Sequence, residues 1–206
     1  MLHVVQNDAA PVRDGIFRSM FAARKSVFVD LLKWDVPVLD DCYEIDQFDD
    51  EHARYLILAD RDDRHLGSAR LLPTMRPHIL DSLYAVLCED APPRGEAIFE
   101  VTRFCLDRRL QARERRAVRD ALVAALAGHA IDHGIESYTA IAELGWFQQI
   151  LAFGWRCEPL GLPHVVDGRA LAALRIVITP ETPALLAAAG IRGRQAILAN
   201  ERLIAA

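Results

Sequence analysis

The sequence predicts an α/β (α+β) domain, a three-layer αβα sandwich on a mixed central sheet. Three observations lead there. Short apolar runs of strand length alternate with segments whose apolar residues recur at helical spacing. Their order is strand, helix, antiparallel strands, strand, long helix, strand, helix, strand, which needs helices on both faces of one sheet. The 206 residues, 52% hydrophobic and 26% charged, form one ordinary globular core better than two small ones.

Leu2 to Val5 reads as a short first strand. Asp14 to Val29 follows as a helix, with Ile16, Met20, Arg24, Val27 and Phe28 at helical spacing. Lys33 to Asp50 is acidic, contains Pro37, and reads as a long ordered loop. Arg54 to Ala59 and Leu66 to Leu72 are strands on either side of the turn sequence RDDRH, hence a hairpin that Pro73 and Pro77 terminate. Ala97 to Cys105 is a further strand. Ala112 to His133 is a long amphipathic helix closed by Gly134. Ser137 to Ala142 is a strand, Trp146 to Phe153 a short helix ending at Gly154, Ala172 to Ile178 a late strand, and Pro183 onward helical. No repeat, low-complexity tract or linker divides residues 1–206, so a single domain is expected. The element order is similar to the layout of N-acetyltransferase-like folds.

Bulk properties exclude some functions. The formal net charge of −5 argues against nucleic acid as a partner, unless through a local basic patch. No early segment has the pattern of a secretion signal, and no apolar stretch reaches membrane-spanning length, so a cytoplasmic protein without membrane contact is expected. Cys42, Cys88, Cys105 and Cys157 lie far apart and read as free thiols. No metal is implied. Among the histidines only His129 and His133 are spaced like ligands, and they read as a feature of a helix C-terminus.

Three clusters carry chemistry. The first is Arg24, Phe28 and Trp34, the first two one helical turn apart. The second is the acidic loop EIDQFDD, with Asp46 and Asp49 three apart beside Phe48. The third is a pair of arginine-bearing strands, GSARLLPT with Arg70 and FEVTRF with Glu100 and Arg103. In order, these blocks read R-x-x-x-F-x-x-x-x-x-W, E-x-D-x-F-D, G-S-A-R-L-L-P-T and E-x-[ST]-R-F. The pattern resembles the acyl-homoserine-lactone (LuxI-type) synthase family over the first 105 residues or so. Tyr84 departs from it, standing where the family often has Phe.

The resemblance implies an acyltransferase that moves an acyl chain from a thioester to the amine of S-adenosylmethionine. The enzyme then lactonises the product with release of methylthioadenosine, making a quorum-sensing signal. S-adenosylmethionine is thus a substrate, and no cofactor is expected. An α-amino group has a pKa of about 8, so a proton must leave it. Glu100 is the candidate acceptor, with Asp46 and Arg103 beside it in the catalytic set; the alternative is that Glu100 only pairs with Arg103 or Arg70. Positions i and i+3 of a regular strand point to opposite faces, so either a β-bulge re-aims one of Glu100 and Arg103, which is the expectation, or the two serve different faces. Arg24, Phe28, Trp34, Asp46, Asp49, Arg70 and Arg103 form the expected S-adenosylmethionine site. Within it, aromatic faces attract the sulfonium, Arg103 takes the substrate carboxylate, and Arg24 and Arg70 organise the acidic loop.

Tyr84, Ile141, Leu144, Trp146, Ile150 and Phe153 are the expected acyl pocket. The strand end Ile141-Ala142-Glu143, where members that prefer 3-oxo chains often place Thr, implies a chain without a 3-oxo group. Arg108, Arg109, Arg113, Arg115, Arg116 and Arg119 form a basic stretch against an acidic background. Read alone it is a solvated helix face; the resemblance makes it a docking surface for an acidic acyl carrier protein. RRLQARERR lacks the glycine turn with which coenzyme A enzymes of similar fold cradle pyrophosphate. Acyl-coenzyme A nevertheless stays open as the donor. The alternative function is an N-acetyltransferase-like enzyme using acyl-coenzyme A on another amine.

Overall fold

A computed structural model of the chain describes residues 1–6 and 15–191. Its sheet runs in the order β1 (Leu2–Gln6), β4 (Arg54–Ala59), β5 (His65–Pro73), β6 (Ile98–Leu106), β7 (Ser137–Glu143), β10 (Arg169–Val177) and β8 (Arg156–Pro159). A further strand, β9 (His164–Val166), pairs with β10. The sheet is mixed: β6 and β7 are parallel, whereas β1 with β4 and β10 with β7, β8 and β9 are antiparallel.

Two compact units share strands β5 and β6. In the first, β4 is buried on both faces from Tyr55 to Ala59, as expected of an internal strand. Helix α1 (Gly15–Arg24) packs Phe17 and Phe21 edge-on against Tyr55. Helix α3 (Ala112–Asp132) approaches β5 at Gly67, where an added Cβ would stand 2.8 Å from Val118 Cγ1. In the second unit, Tyr138 and Ile141 are three apart on β7 and so point to opposite faces. The Tyr138 hydroxyl donates to the Leu126 carbonyl of α3. Ile141 packs on a cluster of Leu80, Leu87 and Ala173, supplied in part by α2 (Ile79–Leu83). This unit is therefore layered helix, sheet, helix, as the element order predicts.

Local chemistry explains the boundaries. Helix α3 ends at Gly134, whose φ of 65° suits glycine, while the Ile135 amide closes back on the Ala130 carbonyl at 2.8 Å. The expected first helix changes character: residues beyond Arg24 wind as a π-helix, Lys25–Leu31, with the Leu32 amide reaching the Val27 carbonyl. The expected loop 33–50 contains a small hairpin of β2 (Val38–Leu39) and β3 (Tyr43–Glu44). The helix expected from Trp146 starts earlier, as α4 (Leu144–Ala152). Of the helix expected from Pro183 onward, α5 (Thr182–Ala188) is seen, and residues 192–206 lie outside the described part. No described helix is long and apolar enough to cross a membrane.

Candidate active site

The first unit gathers Arg24, Arg70 and Arg103 with Glu44, Asp46 and Asp49 into one buried network of alternating charge. Arg24, at the end of α1, donates through Nε to Glu44 Oε2 at 2.5 Å and through its two Nη atoms to Asp49 at 2.8 Å each. Arg70, on β5, donates to both oxygens of Asp46 at 2.6 and 3.0 Å and lies 2.7 Å from Asp49 Oδ1. Arg103, on β6, donates to Glu44 Oε1 at 3.0 Å and Asp46 Oδ2 at 2.7 Å. Three cations face three carboxylates, which is what lets such groups leave water. The Tyr55 hydroxyl completes the network by donating to Asp49 Oδ1 at 2.7 Å. Glu44 and Tyr55 were not among the candidates read from the sequence. Glu44 stands within the acidic motif itself, and Tyr55 in an apolar strand gave no polar signal.

Charge states follow from this packing. Burial opposes ionisation of Asp49, yet the Arg24 and Arg70 guanidiniums hold its carboxyl far below the usual range. Asp46 is likewise buried and likewise held low, by Arg70 and then Arg103. The same pairings raise Arg24 and Arg70 against the cost of burial. Burial and the Asp49 charge push the Tyr55 phenol up, so it stays a donor. The side chains of Arg24, Glu44, Asp49 and Arg70 have at most 1% exposure, whereas Arg103 keeps 10% and Asp46 5%. Arg103 and Asp46 are thus the most exposed members of the network. The Asp49 carboxylate is enclosed by Arg24, Arg70 and Tyr55.

The aromatic residues stand beside this edge. Phe28 and Trp34 stack with ring centroids 4.7 Å apart, and the Arg103 guanidinium carbon lies 5.7 and 5.9 Å from those centroids. Phe28 is buried with Val27 and Cys105, while Trp34 is half-buried against them. The Arg103 backbone adopts φ 50° in the middle of β6. For a residue other than glycine this left-handed conformation costs on the order of 1–2 kcal/mol. It interrupts the strand's alternation at Arg103, in the segment where a bulge was one of the two readings, and the bonds to Glu44 and Asp46 hold the side chain.

In the second unit Glu100 lies opposite Thr139 in the parallel β6–β7 register, so its side chain shares a face with Thr139 and Ile141. Glu100 is fully buried, and its carboxylate accepts the Ile79 amide at 2.8 Å and the Leu80 amide at 3.1 Å. On that face Tyr84, Cys88, Ile141, Leu160 and Leu171 pack around Leu80, Leu87 and Ala173. Trp146, Phe153 and Trp155 form a separate edge-to-face chain, with Ile150 buried and Leu144 exposed. Of the six acyl-pocket candidates, Tyr84 and Ile141 share a cluster, and Trp146 and Phe153 share an edge-to-face contact.

The basic stretch divides too. Arg109 pairs with Asp107, Arg119 with Asp120, and Arg115 donates to the Asp107 carbonyl. Arg108, Arg113 and Arg116 are exposed and make no ion pair among the described residues. His133 Nδ1 sits 2.9 Å from the His129 carbonyl at the end of α3, a local helix-end contact.

Comparison with known proteins adds a second line. Residues 11–182 match the family model described as autoinducer synthase. An acyl-homoserine-lactone synthase of Ralstonia nicotianae is 31% identical over 173 residues, covering 81% of this chain and 84% of the relative. With that of Pseudomonas fluorescens the identity is 36% over 105 residues, 50% of this chain and 54% of the relative, so the chain matches only about half the length of that relative. Among solved structures, the CoA-dependent acyl-homoserine lactone synthase BjaI, with SAM and isopentyl-CoA, superimposes with a TM-score of 0.81 at 26% identity over 98% of this chain and 99% of that one. An acyl-CoA N-acyltransferase from Pseudomonas aeruginosa shares the fold alone, with a TM-score of 0.59 at 13% identity over 86% of this chain and 99% of that one. With 172 of its residues under the family model and the charge network built from the motif residues, the chain belongs to the autoinducer synthase family.

Proposed function

We propose that this chain is an acyl-homoserine-lactone synthase, which acylates the amine of S-adenosylmethionine and lactonises the product with loss of methylthioadenosine. The observation that carries the reading is the closed network of three arginines and three carboxylates, open to solvent at Arg103 and Asp46. Those two groups match the two charges at the amino-acid end of the substrate. Arg103 takes the carboxylate in a charge-assisted bond, and Asp46 takes the ammonium. Arg24, Arg70 and Asp49 hold the two in place. Trp34 and Phe28 offer aromatic faces to the sulfonium, worth about 0.5–2 kcal/mol.

Glu100 accepts the proton that the amine loses, directly or through one water. The Ile79 and Leu80 amides fix the position of its carboxylate. The freed amine attacks the thioester carbonyl, an amide forms, and the thiol leaves. The methionyl carboxylate then attacks the carbon bonded to sulfur, the carbon–sulfur bond breaks, and neutral methylthioadenosine departs. The cluster of Tyr84 and Ile141, on the same face as Glu100, receives the acyl chain, together with Trp146, Ile150 and Phe153 of the α4 group. The strand end Ile141-Ala142-Glu143, where members of the family that prefer 3-oxo chains often place Thr, supports an acyl group without a 3-oxo substituent.

The donor is an acyl thioester. The binding of isopentyl-CoA by BjaI supports coenzyme A. Exposed Arg108, Arg113 and Arg116 support an acidic carrier protein as a second donor. Mass spectrometry of the medium of a bacterial host expressing the chain tests the function. An N-acyl-homoserine lactone is expected, absent from a host expressing Glu100→Gln. A host that makes folded protein but no lactone would overturn the proposal.

A further inference from the structure

We infer that His78 is a positioning residue for Glu100, acting through the first turn of α2. The inference rests on the proposed role of Glu100 as proton acceptor. His78 has no exposed surface and directly precedes Ile79 and Leu80, the two residues whose amides hold the Glu100 carboxylate. Its backbone is extended, φ −139° and ψ 174°, so the chain turns into α2 at this residue. Two bonds fix that turn. The His78 amide donates to Asp81 Oδ1 at 3.0 Å, and the His78 ring places Nδ1 2.9 Å from the Arg76 carbonyl oxygen.

A carbonyl oxygen only accepts, so Nδ1 carries the ring proton in this contact. Nε2 is buried without a partner among the described residues. Burying a ring nitrogen unsatisfied is costly, and an apolar side chain of similar size would avoid it. The imidazole therefore serves for the bond that an apolar group cannot make, from Nδ1 back to Arg76. That bond pins the residue before Ile79 from one side while Asp81, which also accepts the Ser82 hydroxyl at 2.7 Å, pins it from the other. The two amides on Glu100 inherit their position from this clamp. His78 makes none of the substrate contacts proposed above; it sets where the proton acceptor stands.

Steady-state kinetics of methylthioadenosine release from S-adenosylmethionine and an acyl-coenzyme A test this on purified His78→Ala, His78→Asn, His78→Gln, Glu100→Gln and the double variant His78→Ala/Glu100→Gln. A misplaced acceptor lowers kcat about 10-fold to 100-fold, while both KM values stay within about twofold. Asn can place an N–H near the position of Nδ1 and restores most of the rate; Gln matches Nε2 instead and does not. Where His78→Ala does not fold, the Asn and Gln pair decides alone. In the double variant the His78 effect vanishes, because the group it positions is gone. A raised KM with kcat unchanged, Gln equal to or better than Asn, or independent losses in the double variant would each overturn the assignment. A fully active Glu100→Gln would overturn the role of Glu100 itself, and that of His78 with it, a result distinct from every other.

Discussion

At Glu44 two arginines meet one carboxylate: Arg24 takes Oε2 and Arg103 takes Oε1. Arg24, at 1% exposure, has no water to fall back on, and Arg103, at 10%, has little. Removing one charge from a buried paired set costs far more than the pair contributes, typically 3–5 kcal/mol. Glu44→Gln keeps the shape and loses the charge, so we expect urea denaturation to show a stability loss of about 3 kcal/mol. A loss below about 1 kcal/mol would mean that the network is held by packing and not by charge balance. At this scale the motifs disclosed the participants unevenly. Arg24, Asp46, Asp49, Arg70 and Arg103 were all readable through motifs that resemble those of the family, whereas two loop carboxylates taken alone read as solvated. Which carboxylate faces which arginine, and that Asp49 is enclosed while Asp46 reaches solvent, depends on the third dimension. Tyr55 shows the same limit: its alternation partner positions are all apolar, and only the fold brings its hydroxyl to Asp49.

Among the elements, β5 carries a second buried polar group outside this network. Its first residue, His65, is fully enclosed, and its Nε2 contacts the Ser68 hydroxyl at 2.8 Å. Burial, against the pull of Asp107, lowers its pKa from 6.5 to about 4. A folded-state pKa below the unfolded value means that the unfolded chain binds the proton first. The stability this group contributes is therefore fully present above pH 6.5 and is lost as pH falls towards 4. Between pH 7 and pH 5 the loss is about 2 kcal/mol. Denaturant midpoints across that range should fall for the parent chain and flatten for His65→Asn; equal slopes in both would contradict this reading.

Most elements were legible from period and punctuation, Gly134 and Gly154 among them. The π-helix was not, because Val27 and Phe28 keep a spacing that suits either helix. Helix α2 and strands β8 and β9 were missed for another reason. They are only five, four and three residues long, too short for a period to register. A break in β6 was one of two readings, the other being that Glu100 and Arg103 serve different faces of a regular strand. The device of the break, a left-handed arginine, was not legible.

Across the whole molecule, the two units divide the proposed work. The first holds the charge network and the aromatic pair; the second holds Glu100 and the apolar cluster of Tyr84 and Ile141. Apart from Glu100, the charged residues of the motifs fall within the first, and the apolar residues of the second carry no spacing that distinguishes a pocket from a core. That asymmetry is physical. A buried charge demands named partners, whereas an acyl chain accepts any apolar wall of the right volume. The most direct test of the central claim uses purified protein with S-adenosylmethionine and a panel of acyl-coenzyme A and acyl-carrier-protein thioesters, following methylthioadenosine and lactone together. Both are expected in equal amounts, and only when a thioester is present. No methylthioadenosine with any donor, or an acylated amine formed with the sulfonium intact, would contradict it.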